Sequence, residues 1–333
     1  ICSIVFPEKA TPESLKQKYE NGSIKILIVP GHDKESYGAQ YRGMTEESLN
    51  AQTGHYLYNY FFGDLKFFPH TTRSYQGNYS EWFVSYLKSG ETEIKSWKDA
   101  LKSAMRSFLR SGTVIKNVKI QHNPAADNAS LNLYAVNKWS NENNIDIVLH
   151  LHFNDYPGHT YDMPGKYKGF AIYIPERQLP NYKVSKEIAE SIKNELLKIQ
   201  RSSNYPKEKN IIIEDQQLIA VGSNASRDGV SIVIEYGYIY ENQFINPSLR
   251  QTMLKELAYL TYNGLKNFLE GRNDANANQT TILPFRFERT LTRKDEGLDV
   301  LALQRALVSE NLYPPLGFSK NDCPISGTFG ACT

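Results

Sequence analysis

Three stretches of the sequence end in residues that can bind a metal or move a proton. Lys25-Ile26-Leu27-Ile28-Val29-Pro30-Gly31-His32 delivers a histidine, and Asp146-Ile147-Val148-Leu149-His150-Leu151-His152 delivers two. Val230-Ser231-Ile232-Val233-Ile234-Glu235 delivers a glutamate. Catalytic zinc takes three protein ligands from His, Asp, Glu or Cys and keeps a fourth position open. With Glu46, His32 and His152 make up a His₂Glu set for one Zn²⁺ ion. Such an ion lowers the pKa of water to about 7 and polarises a carbonyl, as hydrolysis of an unactivated amide requires. A carboxylate must then pass a proton to the leaving amine, and Glu235 is the candidate.

Each residue also has a plainer reading. His32 and His152 fit as hydrogen-bonded structural histidines. Glu46, in a first helical turn, is favoured there by the helix dipole. Glu235 fits as the buried partner of Arg73 or Arg227. What favours the site is that all three runs look like strands and deliver their polar residue at the carboxyl end, where ligands of open α/β sheets collect. His55, His70, His122 and His159 fall on no such pattern and read as surface or packing residues.

The elements that position these residues can be read from periodicity. Each of the three runs is apolar and rich in β-branched residues, as core strands are. Further strands are predicted over 65–69, 169–174 and 210–213. Helical spacing predicts helices over 11–20, from Glu46 onward through Leu49, Thr53, Leu57 and Phe61, over 131–143, through Val184, Ile188, Ile192 and Leu196, and over 247–269. Strands alternating with helices predict an α/β fold, a mostly parallel doubly wound sheet with helices on both faces. An excursion at about 74–130 carries an amphipathic helix at 91–110, with Ile94, Trp97, Leu101, Met105 and Phe108 on one stripe. Tyr75, Tyr79, Trp82 and Trp97 of the excursion could stack on sugar rings but fit core packing better.

The totals set limits. Lys and Arg number 38 against 36 Asp and Glu, a net charge of +2, which gives no field for a nucleic-acid partner. No apolar run is long enough for a transmembrane segment. The sequence opens on Ile1, so a signal segment, if the protein is exported, is not part of the stretch given. Cys323 and Cys332 lie close enough in sequence to close a small disulfide loop, with Cys2 left over.

Four ordered motifs resemble the zinc-dependent N-acetylmuramoyl-L-alanine amidases of the type 3 class. Pro30-Gly31-His32, Gly38-Ala39 and Gly43-Met44-Thr45-Glu46-Glu47-Ser48-Leu49-Asn50 match the first, and Thr72-Arg73 the second. His150-Leu151-His152-Phe153-Asn154 and Ile234-Glu235-Tyr236-Gly237-Tyr238 match the third and fourth. The resemblance implies that His32, Glu46 and His152 hold zinc, with the Asn50 register selecting Glu46 over Glu47, and that Glu235 is the catalytic carboxylate. It further implies hydrolysis of the amide joining N-acetylmuramic acid to L-alanine in peptidoglycan, by an extracytoplasmic enzyme that is periplasmic, cell-wall associated or secreted. His150 departs from the family's usual serine and, two residues from His152 on a strand, faces the same side. It is expected to orient a ligand or compete for the metal, with Asn154 and Arg73 as further supporting residues.

Related enzymes use an inserted helix as a gate, so the helix at 91–110 is expected to cover the zinc at rest, which would make room for a protein activator. Gly297-Leu298-Asp299-Val300, Leu303-Gln304, Leu307 and Gly327-Thr328-Phe329-Gly330 resemble the first part of a type 1 peptidoglycan-binding domain. The expected organisation is a catalytic domain at 1–272, a linker at 273–289 and a partial, helical wall-binding module at 290–333. The rival readings are a zinc peptidase acting on stem-peptide bonds and a non-catalytic wall-binding or regulatory protein.

Overall fold

The computed structural model describes residues 10–118, 125–155, 159–272, 280–319 and 321–333. Cys2, His122 and the polar run 273–279 of the expected linker lie outside them. In chain order the first elements are α1 (Pro12–Glu20), β1 (Ile24–Pro30), the two-residue strands β2 (Gln40–Tyr41) and β3 (Met44–Thr45), α2 (Glu46–Phe62), β4 (Phe67–Thr71), α3 (Glu81–Ser111) and α4 (Asp127–Glu142). They are followed by β5 (Ile147–Asn154), β6 (Ala171–Pro175), α5 (Tyr182–Leu196), β7 (Ile212–Asp215), β8 (Val230–Tyr238), α6 (Asn242–Ile245), α7 (Pro247–Glu270) and α8 (Leu298–Ser309).

Six strands form one sheet in the order β4-β1-β5-β8-β6-β7. The first four are mutually parallel, β6 joins β8 antiparallel, and β7 is parallel to β6. The mostly parallel sheet with helices on both faces is therefore present. Alternation divides each strand between the two faces. Ile24, Ile26 and Ile28 of β1, Ile147, Leu149 and Leu151 of β5, and Val230, Ile232 and Ile234 of β8 pack with side chains of α1, α2, α5 and α7. Leu27, Val29 and Val148 face the other way, against Phe83 and Ile94 of α3 and Tyr134, Ala135 and Val136 of α4. His150, His152 and Glu235 belong to this second face, so the sheet brings them out under α4.

Two expectations change. The helix of the excursion starts at Glu81, ten residues before the predicted start, and runs through Gly90. A mid-helix glycine costs about 1 kcal/mol, less than burying Phe83 and Ile94 on one stripe returns. The second change concerns the gate. The stripe of α3 packs on α4 through Ile94, Trp97 and Leu101, and Met105 and Phe108 meet Val114 and Leu179. No residue of 91–110 lines the cavity beside His32 and His152; from α3, Phe83 reaches it. Among the described residues the insertion walls the site through Tyr79, Phe83 and Ala125, Ala126 and Ala129, and the helix at 91–110 does not cap it. Trp82 stacks on Trp139 of α4 at 4.1 Å between centroids and Trp97 meets Tyr134 edge-on, so both are packing residues. Smaller shifts place β4 and β7 two residues beyond their predicted starts; Pro69 is tolerated within β4 because that strand is an edge.

The C-terminal segment is docked on the large domain. Leu301, Ala302, Cys323 and Ile325 are buried in the same core as the sheet and α7, and a Cys323–Cys332 disulfide closes the tail loop. Arg305 of α8 and Glu256 of α7 form an ion pair at 3.1 Å with side chains 1 % and 0 % exposed. Glu256 also accepts from the Thr280 hydroxyl at 2.6 Å and the Thr281 amide at 2.7 Å. Among the described residues no helix is long and apolar enough to cross a membrane. Removing one partner of a buried pair strands the other charge. Arg305→Ala is therefore expected to destabilise the protein by about 3–5 kcal/mol in chemical denaturation, while Leu316→Ala, at a fully exposed position, stays within about 0.5 kcal/mol. Equal effects would contradict the docking role of the pair.

Candidate metal centre

The atoms that could hold a metal are set by a turn and a helix start. β1 ends at Pro30, and the chain turns at Gly31 to place His32 with φ 59°, a left-handed conformation uncommon for a side-chain-bearing residue. The Gly31 carbonyl accepts from Asn50 Nδ2 at 2.9 Å and from Arg73 Nη1 at 2.9 Å. Arg73 also donates to the His32 carbonyl and pairs with Glu47, and its Nε reaches the Gly77 carbonyl at 3.1 Å. Thr45 caps the helix that begins at Glu46, accepting from the Ser48 amide at 3.3 Å. Adjacent positions on a helix point about 100° apart, so Glu46 can face the histidines while Glu47 faces Arg73.

His32 Nε2 lies 3.2 Å from Glu46 Oε2, and His152 Nδ1 lies 2.8 Å from Glu46 Oε1. Ligand atoms of His32, Glu46 and His152 all lie within 4.8 Å of one another, and the two rings meet edge-on at 5.2 Å. A tetrahedral shell with ligands at about 2.0–2.1 Å has donor-to-donor edges of roughly 3.3 Å. The donor set therefore fits a metal ion in both chemistry and spacing. Two glycines keep the space: a Cβ on Gly31 would stand 2.2 Å from the His152 ring, and one on Gly38 2.4 Å from Glu46 Oε2. The Ala39 amide donates to Glu46 Oε2 at 3.0 Å and the Phe153 amide to Oε1 at 3.2 Å, which fixes the carboxylate plane.

The electrostatics separate the two carboxylates of the site. Burial works to raise the Glu46 carboxyl, but hydrogen bonds from His152 and His32 and their charges prevail and hold it well below the usual range. Glu235 goes the other way. Burial, then the charges of Glu46 and Glu208, push its carboxyl well above the usual value. Its Oε2 has no hydrogen-bond partner, and the carboxylate lines the cavity shared with His32 and His152. The structural reading of Glu235 thus fails, since Arg73 is taken by Glu47 and Arg227 by Asn141 Oδ1 and the Ile145 carbonyl. His150 is 1 % exposed and lines the same cavity. Burial, with the charges of His152 and Arg227, pushes its pKa down to about 3.

His32, Glu46 and His152 are thus brought together with Glu235, and Arg73 acts from behind the turn. Asn154 lines the same cavity and donates from Nδ2 to Glu208 Oε1 at 2.9 Å. His55, His70 and His159 take no part in the cluster; His159 pairs with Asp155 at 2.5 Å. Sequence reasoning missed Glu208, a buried carboxylate on the cavity wall. It accepts from Tyr173 at 2.7 Å and Tyr238 at 3.2 Å and also bonds Ser203. Glu208 sits in a polar loop with no motif, but parity along β6 and β8 could have flagged Tyr173 as facing the same side as Glu235. Tyr79 stands at the cavity wall, donating to Asp33 Oδ2 at 2.8 Å.

No protein-family model matches the sequence, and no curated protein matches it. Solved structures do. The CwlD amidase of Clostridioides difficile, determined in complex with the GerS lipoprotein, superposes with a TM-score of 0.50 at 15 % identity over 75 % of this chain and 100 % of that one. An N-acetylmuramoyl-L-alanine amidase from Clostridium difficile 630 gives 0.46 at 15 % identity over 76 % and 100 %. The amidase AmiC2 of Nostoc punctiforme gives 0.45 at 14 % identity over 74 % and 97 %. The first of these likenesses shows the fold: this chain has the α/β architecture of that amidase.

The glycine cradle gives a direct test. Gly38→Ala is expected to weaken zinc binding by about 10- to 100-fold, as lost support of a ligand does, read by competition with a fluorescent chelator. Gly112→Ala is the control, since Gly112 shares a left-handed backbone (φ 72°) but has nothing within 4 Å. If both variants bind zinc like the native chain, the cradle plays no part.

Proposed function

We propose that this protein is a zinc-dependent N-acetylmuramoyl-L-alanine amidase that cuts peptidoglycan outside the cytoplasm. The observation that carries the reading is the meeting of His32, Glu46 and His152 within 4.8 Å, in one cavity of about 680 Å³ with Glu235, whose Oε2 has no hydrogen-bond partner among the described residues. The CwlD-like fold is consistent with it. The Cys323–Cys332 disulfide suits an oxidising compartment.

His32 Nε2, Glu46 and His152 Nδ1 would hold one Zn²⁺ ion, which when bound lowers the pKa of water to about 7 and polarises the scissile carbonyl. Glu235 Oε2 takes the proton from the attacking water and hands it to the nitrogen of the leaving L-alanine. Its raised pKa suits the second half of that transfer, because a carboxyl of ordinary acidity would hold the proton too weakly to deliver it near neutral pH, and the charge of a bound Zn²⁺ would favour the ionised form that the first half needs. Glu46 stays ionised beside it and serves as ligand. Arg73 and Asn50 hold the Gly31 carbonyl and so fix His32. We also take residues 290–333 as a partial wall-binding module, here fused to the catalytic body through Arg305 and Glu256.

Native protein is expected to carry one zinc ion and to release from purified peptidoglycan stem peptides that begin with a free L-alanine amine. Glu235→Gln should retain the zinc and lose about 10²- to 10⁴-fold in rate, the usual worth of a positioned acid–base group. Products cut within the stem peptide would replace the amidase by a peptidase. Zinc without any product would leave a binding protein.

A further inference from the structure

The cavity beside the metal centre is chemically divided. Asp155 and Lys207 are exposed at its rim, whereas Val29, Leu133, Val136, Ile219, Ala220 and Val233 wall its inner part. His150 stands in that apolar part, paired in register with Val29 of β1 on one side and Val233 of β8 on the other. It is 1 % exposed. Neither of its ring nitrogens has a hydrogen-bond partner among the described residues. The Ala220 carbonyl, which also accepts from the Ser231 hydroxyl, is a weak hydrogen-bonding influence that works to raise the ring's pKa against burial, without meeting the geometry of a full hydrogen bond.

An imidazole buried without a partner is costly, and a valine or leucine would fill the same place without that cost. No hydrogen bond joins His150 to Glu46, whose oxygens meet His32, His152 and two backbone amides. Among the described residues it lies outside the His32, Glu46 and His152 group and gives that carboxylate no hydrogen bond. An uncharged imidazole presents one donor and one acceptor, a match for the N–H and C=O of an amide. The apolar walls around His150 make that part of the cavity unfavourable for a carboxylate.

We propose that His150 is a specificity-determining residue that hydrogen-bonds an uncharged amide group of the substrate drawn into the inner, apolar part of the cavity. The assignment rests on the amidase reading and names the kind of group the site takes, a neutral amide-bearing peptide in preference to an acidic one. It also accounts for a histidine where an apolar residue would pack at lower cost.

Zinc-loaded native protein, His150→Leu and His150→Gln are compared on soluble muropeptides, with metal content measured on each. The Leu variant is expected to keep its zinc and lose about 10- to 100-fold in kcat/KM, chiefly through KM, because a buried amide is left unpaired. Gln, which keeps a donor and an acceptor, should recover part of the loss. Should the Leu variant not fold, Phe fills the space of the ring without its polar atoms. Unchanged kcat/KM in the apolar variant overturns the assignment, and so does a loss that merely follows loss of zinc. If the native chain itself releases no peptide from muramic acid, the amidase reading falls and the assignment with it.

Discussion

The site depends first on one buried guanidinium. Arg73 is withdrawn from solvent, and a buried cation is tolerated only where acceptors surround it. Here they are the carbonyls of Gly31, His32 and Gly77 and the carboxylate of Glu47. Burial lowers the Arg73 pKa, and the Glu47 charge opposes that. The side chain thus ties three pieces of chain together: the turn after β1, the first turn of α2 and the loop after β4. The left-handed backbone at His32 is held by the same contacts, so the position of a candidate metal ligand follows from how an arginine is satisfied.

The neighbouring pair Glu46 and Glu47 shows how one helix start serves two ends. One carboxylate faces the two histidines and is stabilised as the anion; the next faces Arg73 and anchors the turn. Across the cavity, burial and the charges of Glu46 and Glu208 push Glu235 toward its protonated form. Two carboxyls in one site are driven apart in acidity by their surroundings, which is the condition for one to hold a metal while the other carries a proton. Glu208, saturated by hydroxyls and by Asn154, adds negative potential on the far wall and reinforces that separation.

Much of this was legible in the residues themselves. The strand ends at His32, His152 and Glu235 followed from apolar runs with polar terminators, and the sheet aligned them because parallel strands bring their carboxyl ends to one edge. Glu46 could be chosen over Glu47 only through the family resemblance, whose motif sets the register from Asn50, since both occupy a first helical turn. Glu47's service to Arg73 was invisible, because nothing local in either segment reports the other. The start of α3 was misjudged at Gly90, where tertiary packing of Phe83 and Ile94 outweighs a local helix breaker. The docking of residues 298–333 was likewise hidden: Arg305 and Glu256 are buried by each other's elements, and a pairing across that sequence distance has no local signature.

The central claim is that the Arg73-held turn, the helix start and the end of β5 together form a three-residue metal centre. Zinc-edge X-ray absorption on the purified protein tests it most directly, with His152→Ala and Glu46→Ala measured alongside. The account predicts one zinc per chain with nitrogen and oxygen neighbours at about 2.0–2.1 Å, and that signature lost in both variants. A native protein that binds no zinc, or variants that keep the same shell, would contradict it.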